Sequence, residues 1–321
     1  MTLHSTLEMG KANLDVFSET LLALAASNKN ILVVTSDSRG SGKLVPFARA
    51  LPDQIIEVGI AEQNLVGIAA GLASTGKIVY AVSPGSFLTA RALEQIKNDV
   101  CYSDRPVKLI AISSGVSYGA LGSTHHSLHD LAVLRALHNC TILVPADNFE
   151  TAEAVKAAAG MSCPVFIRFG KRAMPHLHKP GTTFTVGKSL LVRCGNDVAF
   201  IATGETVIQA VLASEALEYE GLTARVISMH TVKPLDENAV LKAGRECRAV
   251  ISVEEHSCSG GLGEACASVL LQAGVSVPFR IAGFPDEETV PGSQLEIMAY
   301  YGISPEGLTQ TAKDLLQRKR S

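Results

Sequence analysis

The chain has 321 residues, 47% of them hydrophobic, and a net charge of −3. That length accommodates two domains with separate cores, and the absence of a basic excess argues against nucleic acid as the main ligand. No run of 18 or more apolar residues marks a membrane span. The seven cysteines form no CxxC, which fits free thiols in a reducing compartment. The opening MTLHSTLEMGKANLDVF lacks a signal-peptide core, so a cytoplasmic protein is expected.

Taken in chain order, ILVVTS, QIIEV, KIVYAV, VKLIAIS, TILVPA and PVFIRF are short β-branched runs that read as strands. Helix-like segments fall at Glu62–Ser74, Phe87–Tyr102, Leu128–Leu137 and Phe149–Gly160. Near-continuous apolar strands alternating with helices predict a parallel sheet covered on both faces. The stretch Lys171–Lys188, rich in Pro, Gly and Thr, interrupts the pattern and reads as a linker. Alternation then resumes through DVAFIAT, a helix near Thr206–Tyr219, TARVIS, a helix near Asp236–Glu246, RAVISVE and a helix near Leu262–Ala273. The expected organisation is two consecutive α/β domains with mostly parallel sheets, at residues 1–172 and 191–321, joined by a linker at 173–190.

Ligands of open α/β sheets gather at the carboxyl ends of strands. The loop SDSRGSGKL (Ser36–Leu44) fails the P-loop spacing, because Asp37 stands where the first Gly belongs and Leu44 where the Ser/Thr belongs. GGLGEA has Cys266 in place of a third dinucleotide-type Gly and reads as a tight strand-to-helix turn. STHHSLHD gathers His125, His126, His129 and Asp130 without a recognised metal-ligand spacing. Some of these imidazoles are expected to be structural, while three in one Gly-flanked loop point to proton transfer or polar substrate recognition. Glu62 opens a helix flanked by VGIA and NLVGIAAGLA. A buried carboxylate is costly unless paired or protonated, and burial suits it to proton exchange near neutrality. The ordinary alternative at a first helical turn is a solvated or capping acid.

Four stretches together, VGIAEQNLVGIAAGLA, GSFLTARALEQIKNDV, GSTHHSLHDLAVLRALHNCTILVPAD, and TVKPLD with VEEHSCSGGLG, resemble the transketolase family of thiamine-diphosphate enzymes, over about residues 10–315. The resemblance implies the family's pyrimidine-binding domain followed by its C-terminal domain. Full-length members begin with a diphosphate-binding domain that carries a GDG…N magnesium motif, and no GDG occurs here. The resemblance therefore implies the C-terminal (β) subunit of a split transketolase. An N-terminal (α) subunit would hold most of the Mg2+ site, and this chain would be a homodimer inside an α2β2 assembly. No metal ligand is assigned to this chain.

Residue by residue, Glu62 matches the Glu that contacts N1′ of the cofactor aminopyrimidine and shares a proton there. Phe87 matches the aromatic that packs on the pyrimidine, with an ordinary core Phe as the alternative. His125 matches a His near the donor's reacting hydroxyls, Arg168 an Arg that holds a sugar phosphate, and Asp37 an Asp near the cofactor and subunit interface. Members that use ordinary sugar phosphates carry His where Ser113 stands, Asp where Leu121 stands, and an Arg where the N-terminal region offers Leu14 or Asp15. They also carry aromatics where Ala90 and Leu93 stand. The resemblance thus implies a two-carbon ketol transfer on an unusual sugar phosphate, such as branched apulose 4-phosphate. The alternatives are a deoxyxylulose-phosphate synthase-like subunit, a 2-oxo-acid dehydrogenase β-like subunit, which lacks the TH pair, and a non-catalytic partner, for which Glu62 would have little use.

Overall fold

A computed structural model describes residues 7–317; the outermost residues of the two expected domains, 1–6 and 318–321, lie outside the described residues. The first half contains β1 (Met9–Ala12), α1 (Asn13–Ser27), β2 (Ile31–Thr35), α2 (Val45–Ala50), β3 (Ile55–Glu57), α3 (Glu62–Ser74), β4 (Ile78–Pro84), α4 (Gly85–Arg91), α5 (Leu93–Gln95), β5 (Lys108–Ile112), α6 (Asp130–Ala136), β6 (Thr141–Leu143), α7 (Asn148–Gly160), β7 (Val165–Arg168) and β8 (Ala173–Pro175). The second contains β9 (Leu190–Arg193), β10 (Val198–Ala202), α8 (Val207–Tyr219), β11 (Ala224–Ser228), β12 (Thr231–Lys233), α9 (Glu237–Glu246), β13 (Ala249–Ser257), α10 (Leu262–Gln272), β14 (Phe279–Phe284), α11 (Gln294–Tyr300) and α12 (Pro305–Gln317). No described helix is long and apolar enough to cross a membrane.

The alternation predicts the sheets well. The first runs β12-β6-β7-β5-β4-β2-β3 and the second β14-β13-β10-β11-β9. Both are parallel except at one edge, where β12 and β9 run antiparallel. Successive strand residues point to opposite faces, so neighbours enter different cores. Val33, Tyr80 and Ile110 pack with Leu14, Phe17 and Leu21 of α1, while Val34, Val79 and Leu109 pack with Leu65, Val66 and Ala69 of α3. Both faces are covered, as the continuous apolar runs require.

One local expectation needs correction, and two further features emerge only from the fold. The helix expected over Phe87–Tyr102 is broken at Ala92 and ends in a π-helical turn at Ile96–Tyr102. The stretch expected as a linker is ordered along its length. β8 pairs with β1, Leu177 N–H donates to Asp147 at 2.8 Å, His178 meets Glu150 at 2.8 Å, and Phe184 stacks on His230 at 4.2 Å. β12, although it follows the second domain's β11, crosses back to pair with β6 (Thr231 opposite Leu143). The two halves therefore interlock, and the junction between them is rigidly framed.

Candidate active site

The strand order reverses between β2 and β4, the switch point at whose carboxyl ends ligands of open α/β sheets gather. Ser36 and Ser83, just past or at those ends, are joined Oγ to Oγ at 2.8 Å. From β3 the chain turns through Gly59, whose φ of +73° suits glycine, and enters α3 with Glu62 as its first residue. From β4 it enters α4 at Gly85. A Cβ there would lie 3.1 and 3.2 Å from the Oγ atoms of Ser127 and Ser114. Only the missing side chain lets the histidine loop pack so closely on the start of α4.

That approach assembles the site. Glu62 is 5% exposed, and Arg91 Nη1 donates to its Oε1 at 2.9 Å. The Arg91 guanidinium lies 4.2 Å over the Phe87 ring. Phe87 contacts the His125 ring edge-on at 5.3 Å, and His125 contacts Tyr118 at 5.2 Å. Lys171 Nζ then lies 3.5 Å over the Tyr118 ring. Phe87 is partly exposed rather than a core residue, which separates it from the ordinary alternative. The acid, the aromatic and the imidazole read from the motifs thus form one continuous line at the domain surface.

The three loop histidines divide by their partners. His129 is tied to Thr89 of α4 at 3.2 Å. His126 spans Gly119 O and Thr289, both at 3.0 Å, and burial lowers its pKa. Both act as struts. The His125 ring meets its neighbour Thr124 at 3.0 Å and faces Phe87. The loop itself is gripped from both domains: Ser127 N–H donates to Gly115 O at 2.8 Å, and Val116 N–H donates to Glu255 of β13 at 2.7 Å.

Arg168 is buried and already partnered. It is 5% exposed; Nη1 donates to Asp130 at 2.8 Å and Nη2 to the Glu255 carbonyl at 2.9 Å. Withdrawing that guanidinium would leave Asp130 charged in a dry interior. Ser113 is likewise fully buried, in the left-handed region at φ +57°, with Oγ unpartnered. Leu121 is 58% exposed on the histidine loop. Asp37 is exposed past the end of β2, with its N–H held by Glu57 at 2.7 Å. The structure brings together Glu62, Phe87 and His125, and places Arg168 and Ser113 inside the framework that supports them.

Sequence reading missed Arg91, Tyr118 and Lys171. Arg91 lies four residues after Phe87 on α4, a spacing that puts both on one helix face, so a signal was present. Tyr118 and Lys171 meet only through the fold. The second domain adds buried acids behind the loop. Burial pushes Glu254 up to about 7 while it accepts from Leu262 and Gly263 N–H at 2.6 and 2.8 Å. Its carboxylate thus occupies the N-terminus of α10, as the strand-to-helix-turn reading of GGLGEA anticipates.

Comparison with known proteins agrees with this layout. Residues 10–176 match the transketolase pyrimidine binding domain and residues 187–308 the transketolase C-terminal domain. The chain is 45% identical over 303 residues to a subunit of the apulose-4-phosphate transketolase of Phocaeicola vulgatus, covering 94% of this chain and 96% of that one. It is 32% identical over 305 residues to a 6-deoxy-6-sulfo-D-fructose transketolase subunit of a Clostridium species, covering 95% and 94%. Among solved structures it is similar to a split-gene transketolase, an inactive β4 tetramer, with a TM-score of 0.86 and 35% identity over 97% of this chain and all of that one.

Proposed function

The chain belongs to the transketolase family, whose members depend on thiamine diphosphate, and we propose that it is the pyrimidine-binding subunit of a two-chain transketolase acting on a branched or otherwise unusual sugar phosphate. The observation that carries the reading is the contiguous line Glu62–Arg91–Phe87–His125 at the strand ends. One planar, N–H-donating group, the Arg91 guanidinium, already rests on Phe87 while bonded to Glu62. The spacing therefore suits a planar aminopyrimidine. When bound, thiamine diphosphate supplies the carbanion-stabilising chemistry. This chain's share is to seat the ring on Phe87, to hold a proton at Glu62 Oε1 against the ring nitrogen, and to orient or protonate donor hydroxyls through His125. Asp37, exposed just past the end of β2, is assigned to the cofactor on the family resemblance.

Because Arg168 is committed to Asp130, the substrate's anionic end falls to another cation. Lys171, exposed beside Tyr118 and His125, is the group this chain offers. Leu121 on the same loop offers no hydrogen bond, so a donor with no hydroxyl facing it, or a carbon branch there, loses least. The relatives that act on apulose 4-phosphate and on a sulfonated fructose support that reading.

The diphosphate and its Mg2+ are assigned to an N-terminal partner subunit, and the working assembly to an α2β2 complex in the cytoplasm. The outward face of α3 supports a self-contact. Added Cβ atoms at Gly67 and Gly71 would meet nothing within 4 Å, and Ile60, just before the helix, is 76% exposed, while Leu65, Val66 and Ala69 are already buried in the domain. The test is reconstitution with the partner subunit. Ketol transfer should appear only in the mixture, and kcat/KM on a branched ketose phosphate should exceed that on xylulose 5-phosphate. Turnover by this chain alone, or a tenfold preference for the ordinary sugar, would overturn the proposal.

A further inference from the structure

Arg91 has no role in the function proposed for the site, yet it touches both groups assigned to the aminopyrimidine. Its Nη1 bonds Glu62 at 2.9 Å, and its planar end covers Phe87 at 4.2 Å. Phe87 and Arg91 are i and i+4 on α4, so the helix itself holds the guanidinium over the ring. The side chain of Arg91 is 50% exposed, against 5% for Glu62. An aminopyrimidine is also planar, and by stacking on Phe87 and sharing a proton with Glu62 through its ring nitrogen it would engage the same two groups. Two planar groups cannot share one face of one ring at van der Waals density.

We propose that Arg91 is a positioning residue for the cofactor: it occupies the Phe87 face and the Glu62 carboxylate as a side-chain stand-in, and swings outward when the aminopyrimidine is seated. The inference rests on the assignment of Glu62 and Phe87 to the cofactor. Its physical purpose follows from burial. A carboxylate this enclosed is costly without a partner, and Arg91 provides one until the ring nitrogen replaces it. The guanidinium loses little by leaving, because half of it is already in water, where an ion pair is weak. The exchange trades one planar hydrogen-bonding partner, the donating guanidinium, for another, the ring nitrogen that shares the Glu62 proton, and leaves Glu62 paired at both ends of the process.

The experiment is cofactor binding to the complex reconstituted with the partner subunit, measured by titration calorimetry and by deuterium exchange at C2 of the bound cofactor. Releasing a cation–π contact and a half-exposed ion pair corresponds to about tenfold in affinity, roughly 1.4 kcal/mol. Arg91→Ala should therefore bind thiamine diphosphate about tenfold more tightly than the unaltered complex. Arg91→Lys, which keeps the charge near Glu62 but has no plane to stack, should fall between them. A residue with a merely structural role would leave affinity unchanged or weaken it on truncation, and either result from Arg91→Ala overturns the inference. Glu62→Gln and Phe87→Ala test the underlying assignment separately. If both bind and exchange as the unaltered complex does, that assignment is wrong however Arg91 behaves. A complex that binds no thiamine diphosphate removes both.

Discussion

Two of the carboxylate–guanidinium pairs among the described residues, both close to the candidate site, have nearly equal length and opposite character. Glu62–Arg91 spans 2.9 Å and Asp130–Arg168 spans 2.8 Å, but Arg91 is 50% exposed and Arg168 only 5%. The first pair joins a buried acid to a partner half in solvent. The second is closed on both sides, and its guanidinium is further held by the Glu255 carbonyl. Under the proposed function, the first pair can exchange one member for the cofactor, while the second holds the framework together. Bond length carries no information about which is which; desolvation does.

The contrast is sharpest under substitution. Glu62→Gln removes proton exchange but keeps shape and a hydrogen-bonding amide. Cofactor activation should fall by about two to four orders of magnitude with the thermal midpoint nearly unmoved, read by C2 deuterium exchange alongside a melting curve. Unchanged exchange would take Glu62 out of the mechanism. Arg168→Met should do the reverse. It strands Asp130 and should cost about 3–5 kcal/mol of stability, measured by urea unfolding of the chain. A loss below about 1 kcal/mol, the scale of an exposed pair, would break the comparison.

A third test addresses the acids behind Arg168. Burial, with the charge of Glu255 adding to it, pushes Glu205 up to about 8, and both its oxygens lack hydrogen-bond partners. The folded chain therefore holds a proton that the unfolded chain releases near 4.5. Stability associated with Glu205 is complete below that value and is lost as pH rises through about 8. His256, pushed down to about 4 by burial, opposes the trend up to its ordinary 6.5, so the decline should be cleanest between about pH 6.5 and 8. Glu205→Gln should flatten unfolding free energy across that window; an unaltered slope would show that Glu205 is ionised in the folded chain.

The smallest expected effect lies at the exposed loop. Leu121→Asp offers a hydrogen bond to a substrate hydroxyl without disturbing the core. It should move the ratio of kcat/KM for xylulose 5-phosphate over a branched ketose phosphate by about tenfold toward the former, with cofactor affinity unchanged. A ratio that stays put would remove Leu121 from substrate selection.

Much of this was legible in the sequence, and for identifiable reasons. The β-branched runs became strands because consecutive apolar residues satisfy a sheet buried on both faces. Glu62 landed at the start of α3 because Gly59 ends one element and an apolar run begins the next. α1 carries a readable signal too, with Leu14, Phe17, Leu21 and Ala25 spaced for one buried face, although the alternation of strands and helices does not single it out. β12 was not legible: three residues before a helix reveal nothing about an antiparallel partner nearly ninety positions earlier. Nor was the order of the stretch after Lys171, whose Pro and Gly residues signal a break in periodicity but not what the backbone then pairs with.

By itself the sequence determined the α/β class and the family, and it singled out Glu62, Phe87 and His125 as candidates that the fold brings together. Those depend on local period and on short motifs, which are one-dimensional properties. Tertiary structure decided which charges are free. Arg168 meets Asp130 across 38 positions and the Glu255 carbonyl across 87, and Glu255 reaches Val116 across 139. Whether a guanidinium grips a substrate or a buried acid depends on the partners and the solvent around it, summed over chain segments that meet only when the protein folds.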